Sequence, residues 1–182
     1  MPTKLILIRH GQTDWNAKKI YCGHQDIGLN AFGRKQASRL RSSLENETIH
    51  KIYSSNKKRA IQSARIIFKK AKIRRLAELR EMHFGVFEGK NYRQILKKYP
   101  DIYCQWLKDP FSATIPEGES LNDFRKRVVR TIKQITATHP NQAIAVVCHG
   151  GVIAVFLTYL FKTRDFWKLI PKPATCTIIN YG

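Results

Sequence analysis

Two histidines occupy matching places in this 182-residue chain. His10 follows the apolar run Leu5–Ile8, and His149 follows Ala143–Cys148; each precedes a glycine. An imidazole titrates near neutrality and can serve as base, acid or nucleophile. Arg9, beside His10, offers a planar fork suited to phosphate or carboxylate, and Gly11 lets the chain turn and a ligand approach the backbone. Arg59 opens a helical stretch after Ser54-Ser55, where free N–H groups at a helix start also favour an anion. Glu78, Glu81 and Glu88 supply competing carboxyls, one of which could stay protonated beside a phosphate and act as a general acid. Residue chemistry does not choose among the three. Either histidine alone reads more readily as a loop side chain satisfied by backbone carbonyls. The pair, with Arg9 beside one of them, reads as parts of one anion site.

These residues need a scaffold that brings distant strand ends together. Leu5–Ile8 and Ala143–Cys148 are continuous apolar runs too short for helices, and read as buried strands. Asn30 is placed to cap a helix over Ala31–Leu44. Ile49–Ser54 reads as a second strand, followed by a helix capped by Ser55 or Asn56 with an apolar stripe from Ala60 to Ala71. Strand–helix units joined by short links predict a three-layer α/β/α sandwich with a mostly parallel central sheet. In such sheets ligands bind beyond the carboxyl ends of the strands. Ile73–Leu79 reads as a short strand, and Tyr92–Tyr99 as a helix ending before Pro100. Trp106–Pro116 reads as irregular and Pro-punctuated, with small helices and a substrate-facing loop expected there. Ser120, with Asp123 three residues on, caps a helix running to His139. Val152–Phe161 is an apolar helix too short to span a bilayer, and Ala174–Ile179 is a last strand. No repeat or linker divides residues 1–182, so one domain is expected.

The formal net charge is +20, with 18 basic against 4 acidic residues in 1–75 and 15 against 9 in 76–182. Such a charge attracts anionic small substrates or nucleic acid, but it is first a statement about the surface. No basic run is interleaved with aromatics as a single-strand platform would be, and the balance is set against a nucleic-acid partner. Cys22, Cys104, Cys148 and Cys176 are scattered, with no CxxC pair and no apolar leader at the start, so free thiols in the cytoplasm are expected. No HExxH or other compact ligand spacing suggests a metal. No GxxxxGK[ST] loop is present to cradle a nucleoside triphosphate.

The motifs together resemble the histidine phosphatase (phosphoglycerate mutase-like) superfamily. Arg9-His10-Gly11-Gln12-Thr13-Asp14-Trp15-Asn16 is similar to its opening signature, and Asp26–Ala37 to its Asp-x-x-Leu-x-x-x-Gly-x-x-Gln-Ala segment. Ser54–Ala64, the Glu81–Gly89 loop, Glu117-Gly118-Glu119-Ser120 and Cys148-His149-Gly150-Gly151 continue the match in order. The resemblance implies that His10 is the nucleophile, forming a phosphohistidine. Arg9, Arg59 and His149, the last protonated, would bind the phosphoryl oxygens, with Asn16 as a further donor. Glu81 would protonate the leaving oxygen and then activate water. Cys22, Gly23 and Gly150 complete the implied substrate-binding set, although relatives often carry Gln where this chain has Cys22.

The compact length resembles the phosphatase branch, including α-ribazole phosphatases, acting on a small phosphorylated substrate with no cofactor, no metal and no membrane. The alternative is a phosphoglycerate mutase, for which 2,3-bisphosphoglycerate would be needed. Monomer and homodimer both remain open.

Overall fold

The computed structural model describes residues 2–182. The first apolar run lies in strand β1 (Thr3–Arg9), and Leu5, Ile6, Leu7 and Ile8 are all fully buried. A strand covered on both faces has no polar side to show, hence a continuous run rather than an alternating one. Helix α1 (Asp14–Ala17) follows, closed by a capping box between Thr13 and Asn16. No residue pattern announces this single turn in advance. Asn30 caps α2 (Ala31–Ser43) as expected, accepting from Gly33 N at 2.8 Å. Here glycine is required twice: a Cβ on Gly33 would stand 2.1 Å from the Gln12 carbonyl oxygen, and one on Gly11 2.4 Å from that of Gly33. The first turn of α2 therefore lies directly on the chain leaving β1.

Strand β2 (Lys51–Ser55) leads into α3 (Lys58–Phe68). The expected cap at Ser55 or Asn56 is not the one used. Lys57 holds the cap position without a side-chain bond, and the Lys58 amide donates instead to Asp26 Oδ1 at 2.7 Å. Strand β3 (Ile73–Leu76) is shorter than expected because Ala77–Leu79 winds into a 3-10 turn. Helix α4 (Tyr92–Lys98) stops before Pro100, and α5 (Pro100–Lys108) begins on it. Proline is suited to a first helical position, where its missing N–H has no partner to lose. Trp106, at the start of the Pro-punctuated stretch, thus sits on the last turn of α5.

Ser120 caps α6 (Leu121–Ala137), accepting from Asp123 N at 3.1 Å, a contact worth about 1 kcal/mol. Strand β4 (Ala143–Cys148), α7 (Gly150–Leu160) and β5 (Cys176–Tyr181) complete the chain.

The strand order is β3-β2-β4-β1-β5, parallel throughout except for β5, which runs antiparallel to β1. Alternate side chains divide the core. Leu5, Leu7, Ile144 and Val146 join a cluster with Phe124, Val128 and Ile132 of α6 and Val152–Leu157 of α7. Ile6, Ile8, Ala145 and Val147 meet Ala37 and Leu40 of α2 and Ala60, Ala64 and Ile67 of α3 on the other face. The result is the expected three-layer α/β/α arrangement.

No helix among the described residues is long and apolar enough to cross a membrane; α7 is apolar because Gly150–Thr158 are all buried. The β1–β4 register pairs Arg9 with Cys148. His10 and His149 therefore leave the sheet side by side, at the strand ends where such folds hold ligands.

Candidate active site

His10 is buried, with Nδ1 2.7 Å from the Gly11 carbonyl oxygen. A carbonyl can only accept, so Nδ1 carries the proton and Nε2 keeps the lone pair. Burial, with Arg59 and Arg9 adding repulsion, holds the pKa well below the ordinary imidazole value, which keeps the ring neutral. The loop that fixes it is itself anchored. Gly11 N donates to Ser63 Oγ at 3.0 Å, and Ser63 Oγ donates to the Arg59 carbonyl at 2.8 Å. His10 lines a cavity of about 210 Å³ together with Arg9, Asn16, Cys22, Arg59, Glu81 and Gly150.

His149 stands next to it, ring centroids 5.1 Å apart, but its environment is different. Its Nδ1 accepts from Arg59 Nε at 3.2 Å, and its Nε2 lies 2.8 Å from Ser55 Oγ. A nitrogen that accepts from a guanidinium cannot hold a proton. Burial, followed by Arg59, His10, Arg9 and Lys57, drives its pKa well below normal. The expected protonated His149 is therefore corrected: the ring is neutral, fully buried and behind the cavity wall rather than on it.

The rest of Arg59 is spent on the loop opposite. Nη1 donates to Gln25 O at 2.8 Å, and Nη2 donates to Gly23 O at 2.8 Å and Cys22 O at 3.3 Å. Gly23 thus serves through its carbonyl and lies off the cavity wall, whereas Cys22 reaches both. Arg9 donates from Nη1 to the Pro171 carbonyl at 2.5 Å, and its Nε is buried with no hydrogen-bond partner. Burial lowers its pKa against the attraction of Glu81. Asn16 accepts from Thr13 N and Oγ1 at 3.1 and 3.0 Å, bonds that use only its oxygen.

Geometry separates the three acids. Glu78 is exposed. Glu88 staples the 24–25 and 84 backbones, accepting from His24 N at 2.8 Å, Gln25 N at 3.2 Å and Phe84 N at 3.2 Å. Glu81 alone of the three lines the cavity. It accepts from Met82 N at 3.0 Å and from Gly151 N, in the first turn of α7, at 2.9 Å. Burial raises its pKa, opposed by those two N–H groups, Arg59 and Arg9.

Gly151 has a further part that sequence reasoning missed. A Cβ there would stand 2.3 Å from Glu81 Oε1, so glycine is what lets the carboxyl rest on the helix start. Also missed were Lys19 and an aromatic wall of Tyr21, Phe84, Trp106, Phe166 and Trp167. Phe84 meets Tyr21 and Trp106 edge to face, at 5.1 and 6.1 Å. Only Trp106 lay in a stretch read as facing substrate; buried aromatics elsewhere carry no mark that separates wall from core.

A neutral imidazole with a free lone pair, a carboxyl biased toward holding its proton, and two guanidiniums make a constellation suited to taking a phosphoryl group. Among the described residues no group of three or more His, Cys, Asp or Glu side chains is placed to hold a metal.

Comparison with known proteins agrees with this chemistry. The family model described as "Histidine phosphatase superfamily (branch 1)" matches residues 5–182. The chain is 38% identical over 155 residues to phosphoglycerate mutase-like protein 4 of Arabidopsis thaliana, covering 82% of this chain and 67% of that protein. It is 32% identical over 173 residues to a metal-independent phosphoserine phosphatase of the same plant, covering 92% and 73%. The crystal structure of the α-ribazole phosphatase from Shigella flexneri superposes with a TM-score of 0.89 at 28% identity, covering 98% of this chain and 91% of that one.

Proposed function

This chain belongs to the histidine phosphatase superfamily and is a phosphomonoesterase, and from that premise we propose that it hydrolyses small phosphorylated metabolites through a covalent phosphohistidine on His10. The observation that carries the reading is the 2.7 Å contact between His10 Nδ1 and the Gly11 carbonyl oxygen, which commits the Nδ1 proton and leaves Nε2 as the nucleophile.

In the first step Nε2 attacks phosphorus, the P–N bond forms, and the bond to the leaving oxygen breaks. Glu81 gives its proton to that oxygen, and the alcohol departs. In the second step the Glu81 carboxylate takes a proton from water as the water oxygen attacks phosphorus. The P–N bond breaks, inorganic phosphate leaves, and both groups are restored. Splitting the transfer in two lowers each barrier, and charge on the transferred oxygens is met by cations already in place.

The guanidiniums of Arg9 and Arg59 line the cavity and supply positive charge to those oxygens, with Asn16 alongside. His149 acts through Arg59: the Nε–Nδ1 bond fixes the plane of the guanidinium. The mechanism uses no metal, in keeping with the similarity to a phosphatase named metal-independent. A small cavity walled by aromatic rings favours a compact leaving group with an apolar or planar part.

The test is hydrolysis of an aryl phosphate and of a panel that includes phosphoserine and α-ribazole phosphate, with and without chelator. Turnover insensitive to chelator, with acid-labile phosphate on His10, is the expected result. A folded protein inactive on the whole panel and never phosphorylated on His10 would sink the reading. Strong stimulation by 2,3-bisphosphoglycerate with little phosphate release would instead favour the mutase alternative.

A further inference from the structure

A second concave surface lies outside the catalytic cavity. Helix α6, the end of α7 and the loop after it enclose an open groove of about 920 Å³. Arg125, Lys126, Arg130 and Lys133 line it from α6, and Lys162 and Arg164 from the facing loop; no Asp or Glu lines it. Two of the six have carboxylate contacts at the rim, Lys126 with Asp123 at 3.5 Å and Arg164 with Asp109 at 2.8 Å. Such exposed pairs are worth less than about 1 kcal/mol and yield readily to a stronger anion.

The other contacts are aromatic. Arg125 and Arg164 lie 5.2 and 4.8 Å from the Phe111 ring centre, and Lys133 lies 5.2 Å from that of Tyr159. A cation resting on a ring is held in place without being neutralised. Arg125 and Lys133, which have no carboxylate partner among the described residues, are thus positioned while keeping their charge.

The groove is also extended. Along α6, Arg125 to Lys133 spans about 12 Å at 1.5 Å per residue. On the other side of the α6 ridge, Arg130 and Gln134 line a second groove of about 420 Å³ together with Arg74 and one carboxylate, Glu78. Tyr159 and Tyr181 line the first groove, and Phe161, next to Leu160 on its wall, is 61% exposed. Cations and aromatics that are separate in sequence are therefore interleaved by the fold.

From this arrangement we infer that the α6–α7 groove is a binding site for single-stranded nucleic acid. The cations of α6 follow the phosphodiester backbone while Tyr159 and Tyr181, which line the groove, offer aromatic surface to bases, the combination that single-strand binding uses. A lone phosphate does not need so long a track. A membrane surface is flat, whereas these cations line a concavity. None of the groove residues lines the catalytic cavity, so binding here and hydrolysis there are separable.

Fluorescence anisotropy with labelled oligouridylate and oligothymidylate tests this on the full chain across a salt series. The parent binds at physiological salt, with affinity falling steeply as salt rises. R130E/K133E weakens binding at least tenfold and lowers the log–log salt slope by about 1.4, two contacts at about 0.7 each for a single strand. K35E/R39E makes the same charge change on exposed positions of α2, across the sheet, and retains most of the affinity. Hydrolysis of an aryl phosphate is unchanged in both, which confirms folding. R130Q/K133Q removes charge without reversing it and also weakens binding. The inference is overturned if the two reversal pairs lose affinity equally, if R130Q/K133Q binds like the parent, or if the parent binds phosphatidylserine vesicles but neither oligonucleotide.

Discussion

The ends of β1 and β4 carry the same short pattern, an apolar strand, a histidine and a glycine, yet the fold gives the two histidines opposite surroundings. His10 spends one nitrogen on a carbonyl and keeps the other free toward the cavity. His149 spends both, on Arg59 and Ser55, and is shut behind the wall. Parallel pairing puts the two rings at one sheet edge, but it does not assign their chemistry. What lies across each ring does. His10 shares its cavity with the Glu81 carboxyl; opposite His149 are the guanidinium of α3 and the hydroxyl that closes β2. In the proposed mechanism one histidine is the reagent and the other a fixture.

The sharpest way to break that contrast is to delete each ring. His10→Ala removes the atom that takes phosphorus, and turnover falls about 10⁴-fold or more with no phosphoenzyme detectable by acid-labile phosphate. His149→Ala leaves a phosphoenzyme still able to form. Activity falls about 100-fold as Arg59 loses its lateral restraint, and unfolding shows a loss of about 1–3 kcal/mol from the buried, unpaired Nε–H. If His149→Ala abolished phosphoenzyme as completely as His10→Ala, the division into reagent and fixture would be wrong.

The pH profile sharpens the same contrast. His10 must be neutral to attack, so kcat/KM falls as pH drops through its pKa, which burial and the two arginines hold below 6.5. Glu81 must be protonated to serve the leaving oxygen, so the rate falls again as pH rises through its pKa, which burial lifts above 4.5. Glu81→Gln keeps the volume and loses the proton. It should cost about 10²–10⁴-fold with alkyl phosphates, much less with a nitrophenyl phosphate that needs no acid, and it should erase the alkaline limb. A mutant profile that kept both limbs would assign the acid role elsewhere.

The sequence showed some of this plainly. Leu5–Ile8 and Ala143–Cys148 could only be buried strands, and caps as strong as Asn30 and Ser120 announce their helices through one local bond each. His10, Arg9 and the strand end at His149 were visible because strand-then-glycine is a local pattern. The protonation of His149 was not, since it depends on an arginine 90 residues away. Residue chemistry alone leaves Glu78, Glu81 and Glu88 level; the family resemblance picks Glu81, and the physical reason, its burial in the cavity wall, is not encoded in any spacing. Gly23 enters the substrate-binding set only through the family resemblance; in the structure its carbonyl holds Arg59. The aromatic wall is assembled from several separate segments, so no window of sequence contains it.

Gly151 gives a test of how closely the acid is placed. A methyl group at 151 meets Glu81 Oε1, the movable end of a side chain, rather than backbone. The carboxyl can therefore shift, and Gly151→Ala should leave thermal stability nearly unchanged. Its cost falls on chemistry, about tenfold in kcat with KM little affected, because the proton donor moves while the anion site stays. A loss in KM instead would mean that the first turn of α7, not the carboxyl, had been displaced.

The smallest effect expected is also the most discriminating about the fixture. Ser55 Oγ meets Nε2 of His149 at 2.8 Å, and if that nitrogen carries the proton the hydroxyl is an acceptor there. Ser55→Ala then strands one buried donor, worth about 1 kcal/mol of stability, and lets the ring turn about a single remaining bond to Arg59. Activity should fall only a few-fold, and Ser55→Thr, which restores an oxygen at the same branch point, should recover most of it. The reagent ring has no part in this bond. The acid limb of the pH profile, set by His10, should therefore stay where it is in Ser55→Ala; if it moves, the two histidines are coupled more tightly than their separate hydrogen bonds imply.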